Sequence, residues 1–412
     1  MRYKYIILGA GCAGLSLCWY LLEEGVRDSI LILDHKTSFE DDRTWCFWDT
    51  EPTPFTHLAT HRWPAWTIRR PGDATVRASA PETPYVRLRG GDFYQAVLDR
   101  IAAWDNVTLR LGVPVIDGYT DEGVGGVCVS TAAGTFRSEI LFDALALGSP
   151  RFPVARTGEI TFSQQFFGQF VRTNSDVFDP ETVTLMDFTE AKSAKKSADA
   201  LIRFVYLLPL SPCEALVENT VLVPGGSRAK DALAQAGDAA GNRREIAAYL
   251  ESRYGTRTFH VASEEQGLIP MTTRAFPLRT GNRVYSIGLA GGAARPSSGY
   301  AFMRIQQRCR SLARTVGYDS RKYEKHSCRT HSARQAAATT LLDRIFLQAM
   351  QQNPGAVPGY FQRMFACTSP GAVVRLLSDS ASLFDCLAVI KTLPPGDFVR
   401  AALRLFHPQT DR

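Results

Sequence analysis

The sequence predicts an α/β protein: a Rossmann-type dinucleotide-binding domain of the two-motif kind, an inserted mixed β-sheet domain and a helical C-terminal part. Three observations carry this. A G-x-G-x-x-G run sits between an apolar strand and a helix at the N-terminus; a second strand followed by small residues occupies 282–304; and the last hundred residues repeat apolar helical stretches.

Tyr5 to Leu8 forms the first strand, and Gly9, Gly11 and Gly14 fall immediately before the helical run LSLCWYLLEEG. Gly9 permits the tight turn, Gly11 lets backbone approach a pyrophosphate, and Gly14 lets helix and strand pack closely. The unsatisfied N–H groups of the helix N-terminus then favour the anion. Gly25 ends the helix, Ser29 to Leu33 forms the second strand, and Asp34 stands at its carboxyl end, placed to accept from a ribose hydroxyl. His35 has no triad-like or metal-like partner in sequence and reads as a surface loop residue.

In NRVYSIGLAGGAARPSSGYAFMR, residues 282 to 304, a strand leads into Gly288, Gly291 and Gly292, which let backbone approach a ligand. Gly299 lets the next helix begin close by, with Ser297 and Ser298 as cap candidates. Two such cradles make an FAD-binding flavoprotein. Between them EILFDALALG, residues 139 to 148, reads as a buried strand carrying Asp143.

The chain of 412 residues carries a net charge of +6 without a block of like charges, which argues against nucleic acid as a partner. Nine cysteines without a CxxC pair, mostly in apolar stretches, indicate reduced thiols and a cytoplasmic protein. No metal site is expected. Residues 1 to 22 imitate a signal peptide, but their glycines and the missing A-x-A site argue otherwise. No other stretch has the apolar length of a membrane span.

Several ordered blocks resemble the lycopene cyclase family, the carotenoid ring-forming flavoproteins. DDRTWCFW (Asp41 to Trp48) is the most specific; QQFFGQF, LMDF, RFVYLLPLS, ALVENT, EEQGLIPM and GLAGGAARPSSGYAF follow in the family's order, and the closing helices match as well. The resemblance implies closure of ionone-type rings on lycopene or a related carotene. It is an acid–base isomerisation without net redox change, with FAD held reduced and NAD(P)H as its reductant. It also implies a peripheral protein on the inner face of the membrane. An FAD-dependent monooxygenase or oxidoreductase, and a cyclase of another polyprenyl compound, are the alternative readings.

Ring closure needs an acid, a cation-tolerant wall and a base. Glu218, among the apolar neighbours of EALVENTVLV, is the family's catalytic acid by resemblance; by alternation alone it would be a solvent-facing strand glutamate. The family usually has a second acid where this chain has Asn219, so desolvation is expected to do more of the work of raising the Glu218 pKa. Glu265 and Asp187 are the further acids that could act as base or orient Glu218. Trp45, with Phe47 and Trp48, offers aromatic faces to a carbocation or packs in the core. Arg43 is expected to pair with Asp42 and fix the loop beside the flavin.

The expected layout is an FAD domain from 1–80 and 265–315, a substrate domain from 81–264 interleaved with the strand near 139–148, and a helical region from 316–412. Its basic, apolar helices, with Arg375, Lys391, Arg400 and Arg404, are read as interfacial or as ordinary core helices. The segments 189–201 and 225–243 read as a surface loop and a helix with polar flanks.

Overall fold

The Tyr5–Leu8 half of the first strand has no charged residue to present to water, so it belongs in the middle of a sheet covered on both faces. In the computed structural model, which describes residues 2–145, 159–188, 201–225, 237–318 and 333–406, it lies there. Arg2–Leu8 is flanked in parallel by Ile30–Leu33 on one side and Gly134–Asp143 on the other. Val107–Arg110 adds outside Ile30–Leu33, while Val284–Ser286 joins Gly134–Asp143 in parallel, so the second cradle's strand belongs to the first cradle's sheet. Val127–Thr131 and Val115–Asp121 complete this seven-stranded sheet as an antiparallel edge.

Helices Cys12–Glu23, Gly90–Ala102 and Phe302–Tyr318 cover one face, with Leu15, Leu17, Leu21, Phe93, Val97, Phe302 and Leu312 in a common core. The helix after the second cradle begins at Phe302, not at the serines. Gly299, at φ +75°, breaks the backbone there, and Ser297 donates instead to Asp343 Oδ1 at 2.6 Å.

The second sheet is also seven-stranded, in the order Phe259–Thr272, Thr161–Thr173, Glu214–Pro224, Ile202–Ser211, Thr182–Asp187, Ala65–Arg69, Val76–Ser79. It is mixed: Thr182–Asp187 and Ala65–Arg69 run parallel, the other pairs antiparallel. Its two faces are both buried. Helix Ala239–Tyr254 covers one through Ile246, Tyr249 and Leu250 against Phe167, Val205, Leu207 and Val217. The other packs Phe162, Phe204, Leu208, Leu216 and Leu222 against Trp48, Trp63, Trp66 and the C-terminal helices.

Chain order and sheet membership cross near residue 80. Ala65–Arg69 and Val76–Ser79 lie in the second sheet, whereas helix Gly90–Ala102 and the strands up to Asp143 lie with the first. Trp66 and Ile68 explain the early departure, since both need the aromatic core of the second sheet to be buried. The strand carrying Asp143 ends at that residue, and 146–148 of the expected strand, with the segments 189–200 and 226–236, lie outside the described residues.

Five helices follow: Ala333–Gln352, Val357–Cys367, Pro370–Leu377, Leu383–Thr392 and Pro395–Phe406. Ser382 and Asp385 form a capping box at the start of Leu383–Thr392, and Arg375 grips the Asp385 carboxylate at 3.0 and 2.5 Å. The two last helices leave Leu383, Phe384, Leu387, Ile390, Val399 and Leu403 exposed. No described helix is long and apolar enough to cross a membrane.

A buried ion pair joins the helical part to the second cradle. Arg295, 2% exposed, donates to Asp343 Oδ1 at 3.2 and 3.1 Å and to the Leu376 carbonyl. Asp379, 3.7 Å away, is a second and weaker partner of Arg295, so removing Asp343 leaves the buried guanidinium under-compensated, at the lower end of about 3–5 kcal/mol, the cost of breaking a buried pair. Asp343→Ala should therefore lower unfolding free energy by about that amount in urea titration, and Asp343→Asn by less. Equal stability of Asp343→Ala and the parent would contradict the coupling.

Candidate active site

Residues that pair across antiparallel strands share a face of the sheet, so register decides which acids meet. Gly168 pairs with Glu218 on one side and with Glu265 on the other, and Tyr206 pairs with Glu218 from the next strand. Glu265, Gly168, Glu218 and Tyr206 therefore form one row across four strands, on the face that packs toward the aromatic core. Gly168 has no side chain to hold the two glutamates apart: a Cβ there would stand 2.8 Å from Glu218 Cγ. The two carboxyls close over it, near enough for each to act on the other's charge.

Glu218 lies on an interior strand and is 9% exposed, which removes the solvent-facing reading that alternation alone left open. Desolvation first, then the charge of the neighbouring Glu265, raise its pKa well above the ordinary carboxyl value. Glu218 is thus held protonated where an ordinary glutamate would be ionised. Thr44 donates to Glu265 Oε2 at 2.9 Å and orients the second carboxyl.

The strand Thr44–Trp48 divides its side chains by alternation. Thr44 and Cys46 face the glutamates, and burial pushes the Cys46 thiol up to about 12. Trp45 and Phe47 face the other way: Trp45 packs edge-on against Phe93 and Tyr94, and Phe47 stacks on Phe302 at 4.6 Å. Trp45 therefore packs in the first sheet's core, away from Glu218. Arg43 is exposed and donates to the Asp42 carbonyl at 2.6 Å, while the Asp42 carboxylate goes to Lys36 at 2.8 Å and to Tyr94 at 2.9 Å. The expected Arg43–Asp42 ion pair is absent because the shorter reach from Lys36 satisfies the acid.

Asp187 is also displaced from its expected role. It pairs in register with Val205, which pairs with Asn219, so it shares the face opposite Glu218. There Tyr249 and Arg253 both donate to it at 3.0 Å, beneath helix Ala239–Tyr254. It ties the helix to the sheet through these two hydrogen bonds. Asn219 points the same way and donates to Asn242 Oδ1 at 2.7 Å, so it leaves the tuning of Glu218 to Glu265.

A chain of phenols adjoins the row. Tyr206 donates to Tyr85 at 3.0 Å, and Tyr85 lies 3.2 Å from the hydroxyl of Tyr300. Tyr85, Tyr300, Thr44, Cys46 and Gly168 were not singled out in sequence. The pairing of two glutamate-bearing strands around one glycine was the signal for Gly168, but it needs the register to be read.

The glycine cradles fit an extended phosphate-bearing cofactor. Gly9 adopts φ +98°, and a side chain at Gly14 would collide with the Gly9 carbonyl oxygen. The space that a Gly11 Cβ would enter holds no atom within 4 Å, and Gly11 caps its helix without any side-chain hydrogen bond or acidic first turn, leaving N–H groups for an anion. Asp34 accepts from Ala10 N at 2.6 Å and from Lys36 N at 2.8 Å, so it fixes the glycine turn while sitting at the strand end. His35, 72% exposed at its side chain, lies 3.2 Å from Asp34 on the outer side.

The second cradle touches the first. A Cβ at Gly288, itself at φ +62°, would stand 2.6 Å from Ala13 Cβ; Gly291 backs onto the Ser286 carbonyl, and Gly292 onto the Phe276 ring. Gly299 faces Gln164 of the second sheet, and the buried Ser298 hydroxyl has no protein partner among the described residues, a donor left for a ligand. Among the described residues no group of three or more His, Cys, Asp or Glu side chains could hold a metal ion.

The carboxyl pair makes a titration measurable. Glu265→Gln removes the neighbouring charge and puts an amide donor beside the carboxylate, and both changes lower the proton affinity of Glu218. The protonated-carboxyl infrared band of Glu218 should persist at neutral pH in the parent and vanish at lower pH in Glu265→Gln. An unmoved band would mean that Glu265 does not tune Glu218.

Comparison with known proteins places the fold and the family. Among solved structures, the flavin-dependent brominase Bmp2 superposes with a TM-score of 0.62 at 15% identity, covering 99% of this chain and 100% of that one. A geranylgeranyl bacteriochlorophyll reductase-like protein from Thermoplasma acidophilum gives 0.60 at 13% identity over 98% and 99%. The chain is 24% identical to lycopene beta-cyclase of Pseudescherichia vulneris over 99% of both sequences, and 23% identical to that of Pantoea ananas over 96% and 95%. The family model described as lycopene cyclase protein matches residues 5–403, a span containing both cradles and both glutamates. The chain belongs to the lycopene cyclase family.

Proposed function

We propose that this protein is a lycopene beta-cyclase, closing β-ionone rings at the ends of lycopene. The observation that carries the reading is the row in which Gly168 brings the buried Glu218 against the half-buried Glu265, with Glu218 held protonated. A protonated carboxyl in a dry site is the acid needed to protonate an unactivated alkene.

In this mechanism Glu218 gives its proton to the terminal double bond of the polyene, and a tertiary carbocation forms. The neighbouring double bond attacks it and closes a six-membered ring. Glu265, held by Thr44, removes the adjacent proton, and transfer between the neighbouring carboxyls returns a proton to Glu218. One proton enters and one leaves, so the product is an isomer of the substrate.

FAD is proposed as the cofactor, held by Gly9, Gly11, Gly14 and Asp34 at the pyrophosphate and ribose side and by Gly288, Gly291, Gly292 and Gly299 at the second cradle. Bound in reduced form, with NAD(P)H as reductant, it would supply a negative counter-charge for the cation without passing electrons to substrate. Arg43, Trp45 and Asp187 support the site's framework rather than the reaction.

Glu218→Gln keeps the shape and removes the acid, and should lower ring closure by about 10²–10⁴-fold under reducing, anaerobic conditions while flavin content is retained. Chromatography with mass detection of lycopene products checks this; a product heavier by oxygen, or full activity of Glu218→Gln, would overturn the reading. The parent's rate should fall as pH rises through the raised pKa of Glu218, well above the usual carboxyl range, because only the protonated form donates.

A hydrocarbon substrate lies in a bilayer, so peripheral contact on its inner, cytoplasmic face belongs to the same proposal. The exposed Leu383, Phe384, Leu387 and Ile390 lie on one helix beside the exposed Lys391, with Leu403 and Arg404 on the next. An apolar cavity of about 290 Å³ behind them is lined by Phe346, Val389, Ile390, Phe398 and Val399. Phe384→Asp with Leu387→Asp should reduce co-sedimentation with anionic vesicles while leaving flavin bound; unchanged sedimentation would place the contact elsewhere.

A further inference from the structure

A cleft of about 720 Å³ lies on the outer side of helix Phe302–Tyr318, against Gly291 and Gly292. None of residues 9–14 and not Asp34 lines it, so it is distinct from the pyrophosphate cradle of the first motif. Nor does it include Glu218, Glu265 or the phenol chain.

Its chemistry is set by arginine. Arg274, Arg304, Arg308, Arg310 and Arg314 line it, against the acids Glu51, Asp343 and Asp379. On the helix, positions 304, 307, 308, 311 and 314 fall on one face, so three of the arginines and the Ser311 hydroxyl follow one stripe. The opposite face, through Gln306, Cys309 and Leu312, packs on the first helix, so the stripe turns outward of necessity.

The acids offset this field only in part: Arg314 pairs with Glu24 at 3.3 Å on the exposed side, which leaves its remaining guanidinium N–H groups for a ligand. Asp343 is committed to the buried Arg295, and Asp379 is shared between Arg295 at 3.7 Å and Arg304 at 3.4 Å. Glu51 accepts from Gln307. Arg308 donates to the Gly291 carbonyl at 2.6 Å, which ties the cleft's wall to the second cradle. Thr50 and Ser378 add short hydroxyl donors around the rim.

Planar guanidinium forks with hydroxyl donors match the oxygens of phosphate in geometry and charge. We propose that this cleft is a second anion site of the molecule, binding a phosphate-bearing ligand beside the second cradle. The ligand is a pyrophosphate or phosphomonoester group, brought either by a soluble nucleotide or by a lipid headgroup. The proposal goes beyond ring closure and does not depend on the identity of the acid.

The test uses the FAD-loaded protein, so that the cofactor's own phosphate cradle is filled, and inorganic pyrophosphate as the probe in calorimetry. Saturable binding of one equivalent without release of flavin is expected, weakened by about tenfold or more in Arg304→Gln with Arg314→Gln, and unchanged in Arg363→Gln, which lies outside the cleft. In the unmodified protein, pyrophosphate should protect Arg304 and Arg314 from phenylglyoxal, a readout that no folding defect can mimic. Competition by NADPH identifies a soluble nucleotide, and competition by phosphatidic acid vesicles, but not phosphatidylcholine vesicles, a headgroup. Absence of saturable binding, binding indifferent to the double substitution, or unprotected arginines would overturn the site. Displacement of flavin would also overturn it, and would show instead that the cleft is part of the cofactor's own site.

Discussion

A buried carboxyl set beside a second one is repelled by it unless it keeps its proton, and this constraint organises the second sheet. Glu218 and Glu265 stand on strands that do not touch each other; Thr161–Thr173 runs between them. Only a residue without a side chain at the middle position lets them meet, and Gly168 is that residue. The glycine carries no φ anomaly and sits in plain extended pairing, so its purpose is volume, not conformation. A single step of register would send one glutamate to the face beneath helix Ala239–Tyr254, where Asp187 is already held by Tyr249 and Arg253.

The two faces of that sheet therefore treat acids in opposite ways. On the helix side, Asp187 meets guanidinium and phenol donors. On the core side, Glu218 meets apolar walls and another carboxyl, which stabilise its neutral form. The same residue class becomes a hydrogen-bonded tie to the helix on one side and a proton store on the other, decided by parity along the strand.

What could be read from sequence follows from how local each signal is. The Gly9, Gly11 and Gly14 turn is contained in one strand and one helix, and its acid at Asp34 follows at the end of the next strand, so spacing alone found it. Glu265 was named beside Glu218, but its reason, contact across Gly168, depends on the pairing of strands about a hundred residues apart in the chain. Asp187 and Trp45 read as candidates for the reacting centre because sequence shows residue type and not facing. A register shift between Thr184 and Asp187 makes parity there unreadable without coordinates. The Arg43–Asp42 pair failed for a related reason, since Lys36 comes from the turn after another strand. The crossing of the chain between sheets near residue 80 was hidden because Ala65–Arg69 has an ordinary apolar pattern that either sheet could accept.

The near contact of Gly288 with Ala13 joins the two ends of the chain's cofactor half across 275 positions of sequence. Val284–Ser286 completes the first sheet, and helix Phe302–Tyr318 completes its core. During synthesis the N-terminal helix must therefore wait, its Leu15–Leu22 face uncovered, until nearly three-quarters of the polypeptide has left the ribosome. The second sheet has its own strands in hand earlier, apart from Phe259–Thr272. Biogenesis of this protein is thus governed by a late closure, and truncation anywhere before the second cradle would leave an apolar half-domain exposed to chaperones and proteases rather than a smaller stable one.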